Sequence, residues 1–127
     1  MEKKFIPLKD LEVYQLAREL SKIGWEIYKQ MDWRTKKIIG DQFISSLDSI
    51  GANIAEGYGR YHYLDQTKFY FNARGSLRES CEHWLELLME RKIIDDKTYQ
   101  EMKKISQDLS VRLNNFITST YQQKNKQ

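Results

Sequence analysis

Cysteine and proline are nearly missing from this chain of 127 residues, which has one of each. With Cys81 alone no intramolecular disulfide can form, and the reducing cytoplasm is the natural setting. Pro7 sits near the N-terminus, so almost the whole chain is free of the ring that breaks helices. No apolar run approaches the roughly 20 residues that span a bilayer. The segment Met1-Glu2-Lys3-Lys4-Phe5-Ile6-Pro7 lacks the apolar stretch of a signal peptide. Secretion and membrane insertion are therefore not expected. Charge imbalance is slight as well: 21 Lys and Arg stand against 18 Asp and Glu, for a net +3. The surplus lies late in the chain, where seven Lys or Arg face four Asp or Glu between Lys92 and Gln127. Such a balance permits a nucleic-acid partner without demanding one.

What remains is 40% hydrophobic, 31% charged and 13% aromatic, enough apolar surface to outweigh chain entropy and exclude disorder. A chain of this length makes one domain, here 1–127, with ends expected to fray at about 1–7 and 122–127. Strand-like alternation, long linkers and internal repeats are absent. Four segments carry apolar residues at helical spacing. The first runs from about Leu8 to Met31 on Val13, Ala17, Leu20, Gly24, Ile27 and Met31. The second, from about Trp33 to Tyr58 with Asp32 as its cap, uses Ile39, Phe43, Leu47, Ile50 and Ile54. Its other face is small: Ser45, Ser49, Ala52 and Ala55, with Gly51 between, which suits close helix or subunit packing. The third starts near Asp65, read as its N-cap, and runs to Arg91 on Phe69, Ala73, Leu77, Cys81, Trp84 and Leu88. Gly57 and Gly59 are expected to stop the preceding helix in left-handed conformation. A short loop, Ile93-Ile94-Asp95-Asp96, supplies the next cap. The fourth segment carries Tyr99, Met102, Ile105, Leu109, Leu113, Phe116 and Thr120. Short connections between helices of roughly 30 Å predict an all-α, antiparallel up-down-up-down four-helix bundle.

Catalytic signatures are wanting. A di-iron bundle needs Glu-x-x-His on two helices, and neither His62 nor His83 has Glu three positions earlier. Glu79, His83 and Glu86 share a helix face and are read as a surface charge cluster, not a metal site. Cys81 lies on the apolar stripe as a small hydrophobe. Gly57-x-Gly59 follows a helix, the wrong setting for a phosphate-cradling loop between strand and helix. A non-enzyme without cofactor or metal is expected.

The run Ser49-Ile50-Gly51-Ala52-Asn53-Ile54-Ala55-Glu56-Gly57-Tyr58-Gly59-Arg60 is distinctive. It resembles the S-I-P-x-N-I-A-E-G-x-G-R signature of the four-helix-bundle proteins encoded in 23S rRNA intervening sequences, also called S23 ribosomal proteins. Ala73-Arg74-Gly75-Ser76-Leu77-Arg78-Glu79 matches a second family stretch, A-x-G-S-L-x-E. Leu11-Glu12-Val13-Tyr14-Gln15-Leu16-Ala17 and Gln42 fit too, so the likeness runs from about Phe5 to Phe116. The chain departs from the pattern at Gly51, where the family has proline. Proline there would kink the helix, and glycine puts that kink in doubt. The resemblance implies a cytoplasmic bacterial protein and a five-fold ring of bundles, a homopentamer. In a related branch it implies an accessory protein of a retroelement reverse transcriptase.

On this background Asn53, Glu56, Gly57, Arg60, Arg74, Ser76 and Glu79 form a motif set. Asn53, Glu56 and Arg60, spaced three and four apart, share a helix face. They either fix packing through a polar network, with Glu56 expected to pair with Arg74, or form a ligand site. The turn Tyr58-Gly59-Arg60-Tyr61-His62-Tyr63 interleaves aromatics with a cation. Arg60, Tyr61 and Tyr63 can stack on unpaired bases or contact phosphate, with Arg78, Lys103, Lys104 and Arg112 as further phosphate contacts; loop tyrosines also pack simply over bundle ends. Two functions stay open: an RNA-associated oligomer, or a protein-interaction scaffold without direct nucleic-acid contact.

Overall fold

Pro7 opens a single 3-10 turn, Leu8–Asp10, in the computed structural model of the protein, which describes residues 5–124. Leu11 follows in extended conformation (φ −74°, ψ 119°) and buries its side chain, so helix α1 begins only at Glu12 and runs Glu12–Lys29. The expected start at Leu8 is thus early by the length of that turn. Asp32 caps the next helix as expected: its carboxylate accepts the Thr35 amide at 2.8 Å. That bond holds the Asp32 carboxyl below its usual range.

Helix α2 covers residues 33–58 as the turn Trp33–Thr35, a π-helical stretch Lys36–Gly40 and the α-helix Asp41–Tyr58. It is α-helical straight through Gly51, so the family's proline site carries no break here. Helix α3 covers residues 63–90: Tyr63–Leu77, a second π-helical stretch Arg78–Trp84, then Leu85–Glu90. Asp65 is not its cap. His62 holds the extended cap position, and Asp65 falls in the first turn, where a carboxylate complements the helix dipole.

The α3 end is closed by Lys92, a non-glycine residue at φ 57°. Its amide donates to Met89 O (3.0 Å) and that of Ile93 to Leu88 O (2.9 Å), the paired bonds of a Schellman close. Asp95 then accepts the Thr98 amide at 2.8 Å and caps α4, Asp96–Lys124. The tail expected to fray from Gln122 is helical through Lys124; the remaining fraying expected at 1–4 and 125–127 lies outside the described residues.

Each helix packs on two neighbours, α1 on α2 and α4, α3 on α2 and α4, and closes an up-down-up-down bundle. The core takes Val13, Ala17 and Leu20 from α1, and Ile39, Phe43, Leu47, Ile50 and Ile54 from α2. From α4 come Met102, Leu109, Leu113 and Ile117. On α3 the stripe differs from simple periodicity. Tyr70 and Leu85 are fully buried, whereas Phe69 and Trp84 are only half-buried. The π-helical stretch places Ser80 and Cys81 both inward, after which Leu85 and the expected Leu88 carry the core face. Tyr70 occupies the space that Gly57 leaves open on α2.

Candidate nucleic-acid interface

Helix α2 ends through a close approach. A Cβ on Gly57 would lie 2.7 Å from Tyr70 Cε1, 2.9 Å from Phe69 Cβ and 3.0 Å from the Gln66 carbonyl oxygen. Glycine is required there because α3 lies against it. Left-handed backbone is not the reason: no glycine among the described residues has positive φ, and Gly59 ends α2 at φ −81°, ψ −7°.

Arg60 is held at the start of the turn from three sides. Its guanidinium pairs with Glu56 Oε1 at 2.5 Å and lies 4.9 Å from the Phe69 ring centre. Its carbonyl accepts the Gln66 side-chain amide at 2.8 Å. Glu56 therefore pairs one helical turn ahead, and the expected Glu56–Arg74 pair does not form. Packing of Gly57 on Gln66, Phe69 and Tyr70 sets the register: Arg74 stands a turn farther along α3 and faces α4. There it donates to Asn114 Oδ1 at 3.2 Å and lies over Phe71 at 4.7 Å.

The rest of the motif set is local as well. Asn53 Nδ2 donates back to Ser49 O at 2.8 Å. The Ser76 carbonyl accepts the Ser80 hydroxyl at 2.8 Å. Glu79 Oε2 accepts Trp84 Nε1 at 2.9 Å. Among the described residues no continuous network joins these three groups; each bond spans about one helical turn.

Beyond Arg60 the turn is open. Tyr61 is 86% exposed and meets His62 edge-on with ring centres 5.1 Å apart. Tyr63 is half-buried in the first turn of α3. Tyr58 faces the other way: its hydroxyl donates to Ile6 O at 2.5 Å and its ring lies 5.7 Å from Phe5. Sequence reasoning missed Phe5, Gln66 and Phe69 as supports of this turn. Gln66 and Phe69, three and six residues into α3, were the available signal.

The four other basic positions do not join it. Lys103 is only 22% exposed, with Nζ 2.6 Å from Glu86 Oε1 and 3.0 Å from Cys81 O. Arg112 bridges Glu12 on α1 (2.7 Å) and Asp108 (2.8 Å). Both expected phosphate contacts are thus engaged within the chain, because their partners lie one helical turn away or on the facing helix. Arg78 and Lys104 are exposed without an ion pair among the described residues. Lys103 packs beside Cys81, so it and Lys104 stand roughly 25–30 Å from the turn, given 1.5 Å rise per residue along α3.

The Glu86 carboxylate holds a small cluster. Its bond from Lys103, then that from Tyr99, keeps its carboxyl below the usual range, and it pushes the Tyr99 hydroxyl up to about 12. Glu79 and Glu86 thus have different partners, and among the described residues no group of three or more His, Cys, Asp or Glu is gathered to hold a metal ion. Burial pushes the Cys81 thiol up to about 11, which leaves it a poor nucleophile. Among the described residues no helix is long and apolar enough to cross a membrane.

This geometry sits on a sequence that matches the profile of the 23S rRNA-intervening sequence proteins over residues 9–115. A crystal structure of a protein of unknown function from the S23 ribosomal protein family of Bacteroides thetaiotaomicron has the same fold. It is 25% identical, with a TM-score of 0.76 over 84% of this chain and 95% of that one. No curated protein matches the chain.

Proposed function

The chain belongs to the 23S rRNA-intervening sequence protein family, and from that premise we propose that it is a non-enzymatic, oligomeric, RNA-associated protein of the cytoplasm. The observation that carries this reading is the α2–α3 turn. Tyr61 offers a ring to solvent on a loop fixed by the Glu56–Arg60 pair and the Gln66 bond. An aromatic face held out in advance stacks on an unpaired base at little ordering cost, and such stacking contributes about 1–3 kcal/mol per base. Assembly into a ring would repeat the turn once per subunit and convert weak contacts into avidity.

A scaffold that binds proteins alone is the second reading. The engagement of Lys103 and Arg112 inside the chain favours it, because it withdraws two of the four phosphate contacts expected beyond the turn. A place beside a retroelement polymerase is a narrower form of the first reading. Fluorescence anisotropy of a labelled hairpin RNA with an unpaired loop, titrated at several salt concentrations, separates the two main readings. Saturable binding that weakens with salt is expected for RNA association; no binding at low salt makes the scaffold reading primary.

A further inference from the structure

The side of the bundle between α3 and α4 carries a feature that the turn does not explain. Arg74, Arg78 and Glu82 from α3 face Lys103, Gln107 and Ser110 from α4 across a polar groove of about 130 Å³. Three cations line it with one carboxylate, and one of the three, Lys103, is already paired with Glu86. Arg78 heads the π-helical stretch Arg78–Trp84 and makes no ion pair among the described residues. π-helical turns inside α-helices often mark functional positions.

Donors remain on every cation. Arg74 gives one N–H to Asn114, and a guanidinium has five. Lys103 directs its ammonium at Glu86 and the Cys81 carbonyl, which leaves one of its three donors. Gln107 and Ser110 add neutral donors at the rim. The Ser106 hydroxyl adds none, because it already donates to the Lys103 carbonyl at 2.9 Å. Glu82 would repel an anion from one side, yet the balance around the groove stays positive. Arginine is suited to this task, since its planar fork engages two oxygens of a phosphate at once.

We infer that this groove binds a phosphate-type oxyanion, with Arg78 as the principal ligand and Arg74 as its flanking cation, while Lys103 stays paired with Glu86 and offers at most its one remaining donor. Two sources share that chemistry: free phosphate or a phosphorylated small molecule, and the phosphodiester of a nucleic-acid strand. The site stands roughly 20 Å along α3 from the Tyr61 turn, so it does not depend on the RNA reading of that turn.

Isothermal titration of inorganic phosphate into the full chain at low ionic strength tests the inference. Wild type, Arg78→Gln and Tyr61→Ala are compared, with far-UV circular dichroism to verify the fold of each. Saturable binding is expected at one site per chain, weakened about tenfold or more by Arg78→Gln and unchanged by Tyr61→Ala. Absence of saturable binding in wild type, or equal binding by folded Arg78→Gln, overturns the site. A ribo-oligonucleotide that displaces the phosphate would assign the groove to phosphodiester; failure to displace would assign it to the free anion. Loss of RNA binding in Tyr61→Ala with intact phosphate binding would keep the two sites separate.

Discussion

Helix α3 meets its two neighbours in opposite ways. Against α2 it is sealed: Gly57 has no side chain, and Tyr70 fills the space from the other side. Against α4 a polar groove remains: Arg78 is exposed, whereas Arg74 reaches across to Asn114 and Lys103 to Glu86 and the Cys81 carbonyl, while Leu77 and Cys81 stay in the core. The difference teaches that one helix can be a packing element on one side and a polar groove on the other. What decides is the size and charge of the residues three or four apart along each face.

The largest expected effect comes from breaking the sealed side. Gly57→Ala places a methyl within 3.0 Å of Tyr70, Phe69 and the Gln66 backbone, so neighbours must shift. Urea unfolding should register a loss of about 1–3 kcal/mol; unchanged stability would mean the seam is looser than described. Tyr70→Phe sharpens the same point. The buried Tyr70 hydroxyl has no hydrogen-bond partner among the described residues, so its removal should raise stability by about 1 kcal/mol. A clear loss would contradict that placement.

Gly75 serves as a control on the outer face of the same helix, where an added Cβ meets nothing within 4 Å. Gly75→Ala should stabilise the bundle by about 1 kcal/mol through helix propensity alone. Size-exclusion chromatography with light scattering adds a second reading: a smaller assembly in this variant would place Gly75 at a subunit contact.

On the open side effects on stability should be small. Arg78→Gln should move it by no more than about 0.5 kcal/mol, as for an exposed residue with no ion pair among the described residues. The Glu86 cluster has a signature in pH. Its folded pKa lies below the unfolded value, so its contribution is present above the ordinary carboxyl range and is lost as pH falls through the lowered value. Melting temperatures of wild type and Glu86→Gln should differ at neutral pH and converge in acid. A gap that persists there would remove the ion pair as its cause.

Much of the fold was legible because apolar periodicity survives without alignment. The stripes of α1 and α2 are legible almost residue by residue, as are the Asp32 cap and a cap within the loop Ile93-Ile94-Asp95-Asp96, which the structure assigns to Asp95. The stripe of α3 slipped by one residue at Phe69, where Tyr70 is buried, and at Trp84, where Leu85 is buried after the π-helical stretch, and it met the core again at Leu88. Side-chain pairing was less legible. Glu56 chose Arg60, and Lys103 chose Glu86, because pairing depends on which faces a register brings together. The glycines of the motif were read as turn formers, yet Gly57 works by absence of bulk, which only the position of Tyr70 reveals.

Whether the exposed turn touches RNA is tested most directly by ultraviolet cross-linking of the protein to a hairpin RNA, with the adducts mapped by mass spectrometry. The account predicts adducts at Tyr61 or its neighbours in the α2–α3 turn. Adducts confined to α1 or the outer face of α2, or none under conditions where RNA is bound, would contradict it.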